Sequence, residues 1–182
     1  MEAVDTDLAT LHDRPFALLV ALAERAREAL RARGEEAREG EAGMALAFRA
    51  ASTWCVVPRG DVREILFPLP LTRLPRARSW LLGLANVRGS LVAVTDLGHF
   101  LGGPLTEPGS RSRLLWINHP RLPCALLVDE VAGFRRLQAG TPPPRTGEQP
   151  FLGAIHNVGG QIYRHLDIPR LADDRAFLEA SL

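Results

Sequence analysis

Two textures divide the chain. From Pro15 to Arg33 it is rich in Ala, Leu, Glu and Arg, and Phe16, Leu19, Ala23, Ala26 and Leu30 recur at steps of three and four. That spacing draws an apolar stripe along a helix. Asp13 fits the N-cap, Pro15 the first turn and Gly34 the stop. The pattern predicts an N-terminal helix and a charged, glycine-broken linker over residues 1–42, set apart from a body over 43–182. The stripe suits packing on that body and docking of a partner equally well.

Beyond Gly43 the apolar positions fall into short runs bounded by Gly and Pro, the mark of strands. Residues 44–50 and 53–57 form two runs with a tight connection at Ala51-Ser52, and 62–67 form a third. Pro68, Pro70 and Pro75 then break the chain into turns, and residues 78–84 read as a short helical turn. Residues 90–95 are strongly strand-like and close on Asp96-Leu97-Gly98. Residues 113–118 and 123–128 pair as a hairpin around His119-Pro120-Arg121, and 131–137 form another strand. A proline-rich loop over 139–150, a last strand over 161–166 and a closing helix over 168–182 complete the reading. Many short strands without crossover helices predict a mainly β chain built of small antiparallel barrels, and count against a parallel α/β sheet.

Composition narrows the chemistry. All 22 positive residues are arginine, set against 21 acidic ones for a net charge of +1. With no lysine there is no lysine Schiff base, phosphate-binding lysine or lysine general base. The balanced charge offers nucleic acid no basic footprint. Cys55 and Cys124 have apolar neighbours and read as buried small hydrophobes rather than a disulfide. No run of eighteen apolar residues predicts a membrane-spanning helix. The acidic start lacks the look of a signal peptide, so the expected setting is the reducing cytoplasm.

Tests for catalysis come back negative. His12, His99, His119, His156 and His165 form no HxH or HExxH pair, and no GxSxG is present. Asp129-Glu130, if extended, points its carboxylates to opposite faces and reads as a solvated strand end. Gly102-Gly103 and Gly159-Gly160 read as hairpin turns. The expectation is a protein that is not an enzyme and holds no cofactor or metal.

One segment stands out. Between Leu81 and Leu97, Asn86 and Arg88 sit alone among apolar residues. A charge near a core needs a partner, and the donor fork of arginine suits a carboxylate. Glu64, within Asp61-Val62-Arg63-Glu64-Ile65, is the predicted partner.

These residues resemble the CheW family of chemosensory coupling proteins. The similarity runs through Leu74-Pro75, then Gly83-Leu84-Ala85-Asn86-Val87-Arg88-Gly89, then Val92-Ala93-Val94-Thr95-Asp96-Leu97. Val62-Arg63-Glu64-Ile65 and Ala125-Leu126-Leu127-Val128-Asp129-Glu130-Val131 extend it, and the order and spacing of the set make it specific. Ala85 departs from the bulkier aliphatic usual in the family. Pro15-Phe16-Ala17-Leu18-Leu19 and the tail around Phe151 and Phe177-Leu178 look like the adaptors of type IV pilus (twitching motility) chemosensory systems. Tyr163-Arg164-His165-Leu166-Asp167 departs from the flagellar pattern.

The resemblance implies two five-stranded SH3-like β-barrel subdomains, one following the other around a shared core, with an N-terminal and a C-terminal helix. It implies a non-catalytic, cytoplasmic adaptor at membrane receptor arrays. Such an adaptor couples the cytoplasmic tip of a methyl-accepting chemoreceptor to a CheA-like histidine kinase, with no nucleic acid partner and no membrane insertion. Carried over by position, the partner-binding set is Val62, Glu64, Ile65, Asn86, Val87, Arg88 and Gly89. An adaptor of another chemosensory pathway and a β-barrel enzyme are the alternatives.

Overall fold

The computed structural model of the chain describes residues 43–137 and 149–180. The expected N-terminal helix and linker, and the prolines at 142–144, lie outside the described residues.

Two five-stranded sheets organise the body. The outer sheet has the order β8-β1-β2-β10-β9, from β1 (Met44–Ala50), β2 (Thr53–Pro58), β8 (Glu130–Arg136), β9 (Leu152–Val158) and β10 (Gln161–Leu166). The inner sheet has the order β3-β6-β7-β5-β4, from β3 (Val62–Leu66), β4 (Leu81–Val87), β5 (Ser90–Asp96), β6 (Arg113–Ile117) and β7 (Cys124–Val128). The expected succession of one barrel after the other is therefore corrected. The inner sheet is a continuous stretch of chain inserted between β2 and β8 of the outer one. Pairing is mostly antiparallel, but β2 meets β10 and β5 meets β7 in parallel.

Alternation along the strands shows why two sheets stack here. On β6, Leu115 and Ile117 face a core shared with the outer sheet, while Leu114 and Trp116 face the inner sheet's own core. β7 divides Leu126 and Val128 from Ala125 and Leu127 in the same way. On β1, Leu46, Phe48 and Ala50 enter the shared core, and Ala45 and Ala47 enter a third cluster with Val56 and Tyr163. These strands are buried on both faces, so they read as unbroken apolar runs. Cys55 and Cys124 lie in the shared core as free thiols. Burial pushes each thiol up to about 12, which removes thiolate chemistry.

Three local expectations fail for physical reasons. Residues 78–84 form no helical turn, because Leu81–Val87 is strand β4. Its leucines and alanine favour helix weakly, and pairing with β5 and with Thr72 overrides them. Gly83 sits at φ +143°, where an added Cβ would run into the Thr72 carbonyl oxygen. The closing helix is split into α2 (Ile168–Leu171) and α3 (Arg175–Leu178), following α1 (Leu97–Phe100) earlier in the chain. Asp167 and Asp174 each cap a single turn, accepting the N–H of Arg170 and Phe177 at 2.9 Å. Gly102-Gly103 ends α1 instead of turning a hairpin, with Gly103 N–H bonded to Gly98 O at 2.9 Å. Gly159-Gly160 does turn the β9–β10 hairpin, with φ of 60° and 84°. β9 is a strand the sequence reading missed.

Candidate partner-binding site

The β4–β5 hairpin places the basic residue that the sequence reading singled out. Val87 pairs with Ser90, leaving Arg88 and Gly89 as a two-residue loop at φ 52° and 85°. Two left-handed residues fit the right-handed twist of the flanking strands. Asn86 supports the turn by accepting the Gly89 N–H on its side-chain oxygen at 2.8 Å. The loop lifts the Arg88 side chain into solvent, where it is 72% exposed.

The expected partner is the observed one. Arg88 Nε donates to Glu64 Oε2 at 2.9 Å and Nη2 to Oε1 at 2.6 Å, a two-pronged fork. The hydrogen bond from Arg88 holds the Glu64 carboxyl below its ordinary range, and the same bond raises Arg88. The surroundings differ from the expectation, because the pair is solvated and not enclosed by apolar residues. Its placement gives it structural meaning. β3 and β4 are opposite ends of the inner sheet, so the pair ties one edge to the other and the sheet curls closed.

Next to this clasp runs a groove of about 240 Å³ lined by Leu46, Val62, Glu64, Ile65 and Phe134, with Arg59 and Arg63 at its margin. Leu46 belongs to β1 and Phe134 to β8, so the groove lies between the two sheets. The Arg59 guanidinium stands 5.6 Å over the Phe134 ring. Val62 and Ile65 thus line the inter-sheet groove, and Glu64 both lines it and holds Arg88. Asn86 and Gly89 shape the turn. Val87 is separated from the rest, because its side chain is buried in the inner core and offers no surface.

A second arginine clasp escaped the sequence reading. Arg49, at the end of β1, donates from Nε to Glu130 Oε1 at 2.7 Å and from Nη1 to the Ala51 carbonyl at 2.8 Å. Asp129 Oδ2 lies 3.4 Å from Nη1 and also accepts the Ala51 N–H at 2.6 Å. Asp129 sits in the bend between β7 and β8, so the extended geometry assumed for Asp129-Glu130 does not hold. Both carboxylates converge on one guanidinium, and the solvated strand end is corrected to an ion-paired junction. The bond from Arg49 lowers the Glu130 carboxyl. Its partners lie 80 and 81 residues away, beyond the reach of any local signal.

Among the described residues, no group of three or more His, Cys, Asp or Glu is arranged to hold a metal ion. No described helix is long and apolar enough to cross a membrane. The chemistry on offer is recognition by an apolar groove beside an oriented charge pair.

Comparison with known proteins gives this arrangement its class. Residues 44–176 match the CheW-like domain, and the chain belongs to that family. It is 33% identical over 174 residues to the protein PilI of Pseudomonas aeruginosa, spanning 92% of this chain and 97% of that one. It is 32% identical over 119 residues to the protein FrzA of Myxococcus xanthus, covering 63% and 74% of the two chains. The scaffolding protein TtCheW of Thermoanaerobacter tengcongensis shares the fold, with a TM-score of 0.63, 20% identity and coverage of 68% and 88%.

Proposed function

We propose that this protein is a non-catalytic adaptor that couples a methyl-accepting chemoreceptor to a CheA-like histidine kinase, in a chemosensory array controlling type IV pilus twitching motility. Similarity to PilI along nearly the whole chain supports the pilus assignment. One structural observation carries the site: the solvated Glu64–Arg88 fork beside the groove holding Val62 and Ile65. An apolar strip flanked by an oriented charge pair suits reversible docking. Each contact is weak alone, and many copies in an array hold together by multivalency. The adaptor then biases the kinase by binding its two states unequally. Residues 43–182 form the CheW-like domain of this reading, and residues 1–42 a separate N-terminal segment.

The test is co-sedimentation of the full chain with a receptor cytoplasmic fragment and a CheA-like kinase, beside a thermal melt. Arg88→Ala retains the melting profile and loses retention in the ternary complex. A parallel fall in melting temperature and binding would make Arg88 a purely structural residue. Failure of the unaltered chain to bind either partner would remove the adaptor reading.

A further inference from the structure

Away from the Glu64–Arg88 clasp, an open groove of about 690 Å³ runs between the loop over 71–79 and residues 105–108. Both walls are clamped. On the loop side, Thr72 exchanges two backbone hydrogen bonds of 2.8 Å with Leu84, and Arg78 donates its N–H to the Ala180 carbonyl at 2.8 Å. Ser79 Oγ lies 2.7 Å from His99 Nε2, and His99 Nδ1 lies 2.8 Å from the Gly103 carbonyl. A carbonyl only accepts, so Nδ1 carries the proton and the Ser79 hydroxyl donates to Nε2. On the other side, the fully buried Asp96 accepts the Thr106 N–H at 2.7 Å and its hydroxyl at 2.9 Å. The groove is formed before anything binds, which removes ordering entropy from the cost of association.

Its lining is apolar, with Leu74 37% and Leu105 53% exposed. Arg73 and Arg78 line one side, against the single carboxylate of Glu107 on the other, and Arg76 lies on the same loop. Arg73 and Arg76 have no hydrogen-bond, ion-pair or ring partner among the described residues, whereas Arg49, Arg88, Arg121 and Arg175 each pair with a carboxylate. Arg76 is also held at φ 56°, a left-handed conformation that costs a non-glycine residue energy.

We infer that this groove docks an acidic amphipathic segment of a partner protein, with aliphatic side chains on Leu74 and Leu105 and carboxylates on Arg73, in the positive field that Arg76 adds from the same loop. Unpaired guanidinium groups beside exposed leucines complement that chemistry on both counts. A concave trough fits a rod-like segment better than a flat bilayer.

The test uses a fluorescein-labelled 14-residue peptide of Glu and Leu at helical spacing, its Lys-for-Glu counterpart, and phosphatidylglycerol vesicles, each titrated with the full chain. The Glu peptide gives saturable anisotropy at least about tenfold tighter than the Lys peptide, and weakens as salt rises. The double variant Arg73→Glu/Arg76→Glu loses about tenfold, and Leu105→Asp a similar factor, with Leu105→Gln as the milder check on folding. Arg136→Glu on β8 leaves binding unchanged. Arg88→Ala also leaves it unchanged, so failure here and failure of the adaptor reading are distinguishable. Absence of saturable binding, equal affinity for the Lys peptide, an equal loss in Arg136→Glu, or capture by vesicles in place of the peptide would overturn the inference.

Discussion

Two arginines, Arg49 and Arg88, each close a structural gap, and they do so in opposite surroundings. Arg49 is 29% exposed and gathers two carboxylates and a carbonyl where the outer sheet meets the bend after β7. Arg88 is 72% exposed and holds one carboxylate across the open edges of the inner sheet. Partial burial concentrates Coulomb energy and makes an orphaned charge expensive. Greater exposure on the Arg88 side screens it and leaves the pair available to another molecule. The same side chain is architecture in one place and surface in the other.

The comparison is broken most severely at Arg49. Arg49→Ala leaves Asp129 without its guanidinium and Glu130 with only the exposed Arg111 at 3.5 Å, and should cost about 2 kcal/mol in urea unfolding. Arg49→Lys should recover only part of this, since lysine lacks the planar fork. Arg88→Ala should shift the melting temperature by no more than about 2 °C, which calorimetry checks. The exchange Glu64→Arg/Arg88→Glu sharpens the contrast further. It should restore the melt of the single variants without restoring partner retention, because the field presented to the partner is reversed.

Acid titration probes both clasps. Glu64 and Glu130 both have pKa values lowered from 4.5 in the folded chain. Their contributions are therefore complete above the unfolded value and lost as pH falls through the folded one. Glu130→Gln should flatten the acid limb of a stability profile more than Glu64→Gln, because Arg49 is the less solvated partner. The smallest effect belongs to Asn86→Ala, which removes one exposed turn hydrogen bond and should cost about 1 kcal/mol or less.

What could be read in advance follows range of interaction. Met44–Ala50 was legible to the residue, because an apolar run bounded by Gly43 and by the tight connection at Ala51-Ser52 is a local signal. The Glu64–Arg88 pair was legible because few carboxylates stood in comparable apolar runs. β4 was not, since Leu and Ala carry little strand preference and the pairing that decides it comes from β5 and Thr72. β9 was missed because Gly153, Ala154, His156 and Asn157 dilute its apolar pattern. Asp129-Glu130 misled because a bend rotates one carboxylate toward its neighbour's partner. Val87 was placed at the surface by its neighbours in the motif, although alternation along β4 sends its side chain inward.

The insertion of one sheet within the other also imposes an order in time. The inner sheet draws all five strands from residues 62–128, so its widest pairing, Val62 with Ile117, spans 55 residues and closes a shorter loop than the contact of β1 with β8. The contact of Arg49 with Glu130 closes a loop of 81 residues, whose entropy is smaller once the intervening chain is compact. Assembly is then expected to run from the middle of the sequence outward, with amides that pair β5, β6 and β7 protected in pulsed hydrogen exchange before those that pair β1 with β8. The ends of the body find each other because its centre has already shortened the distance between them.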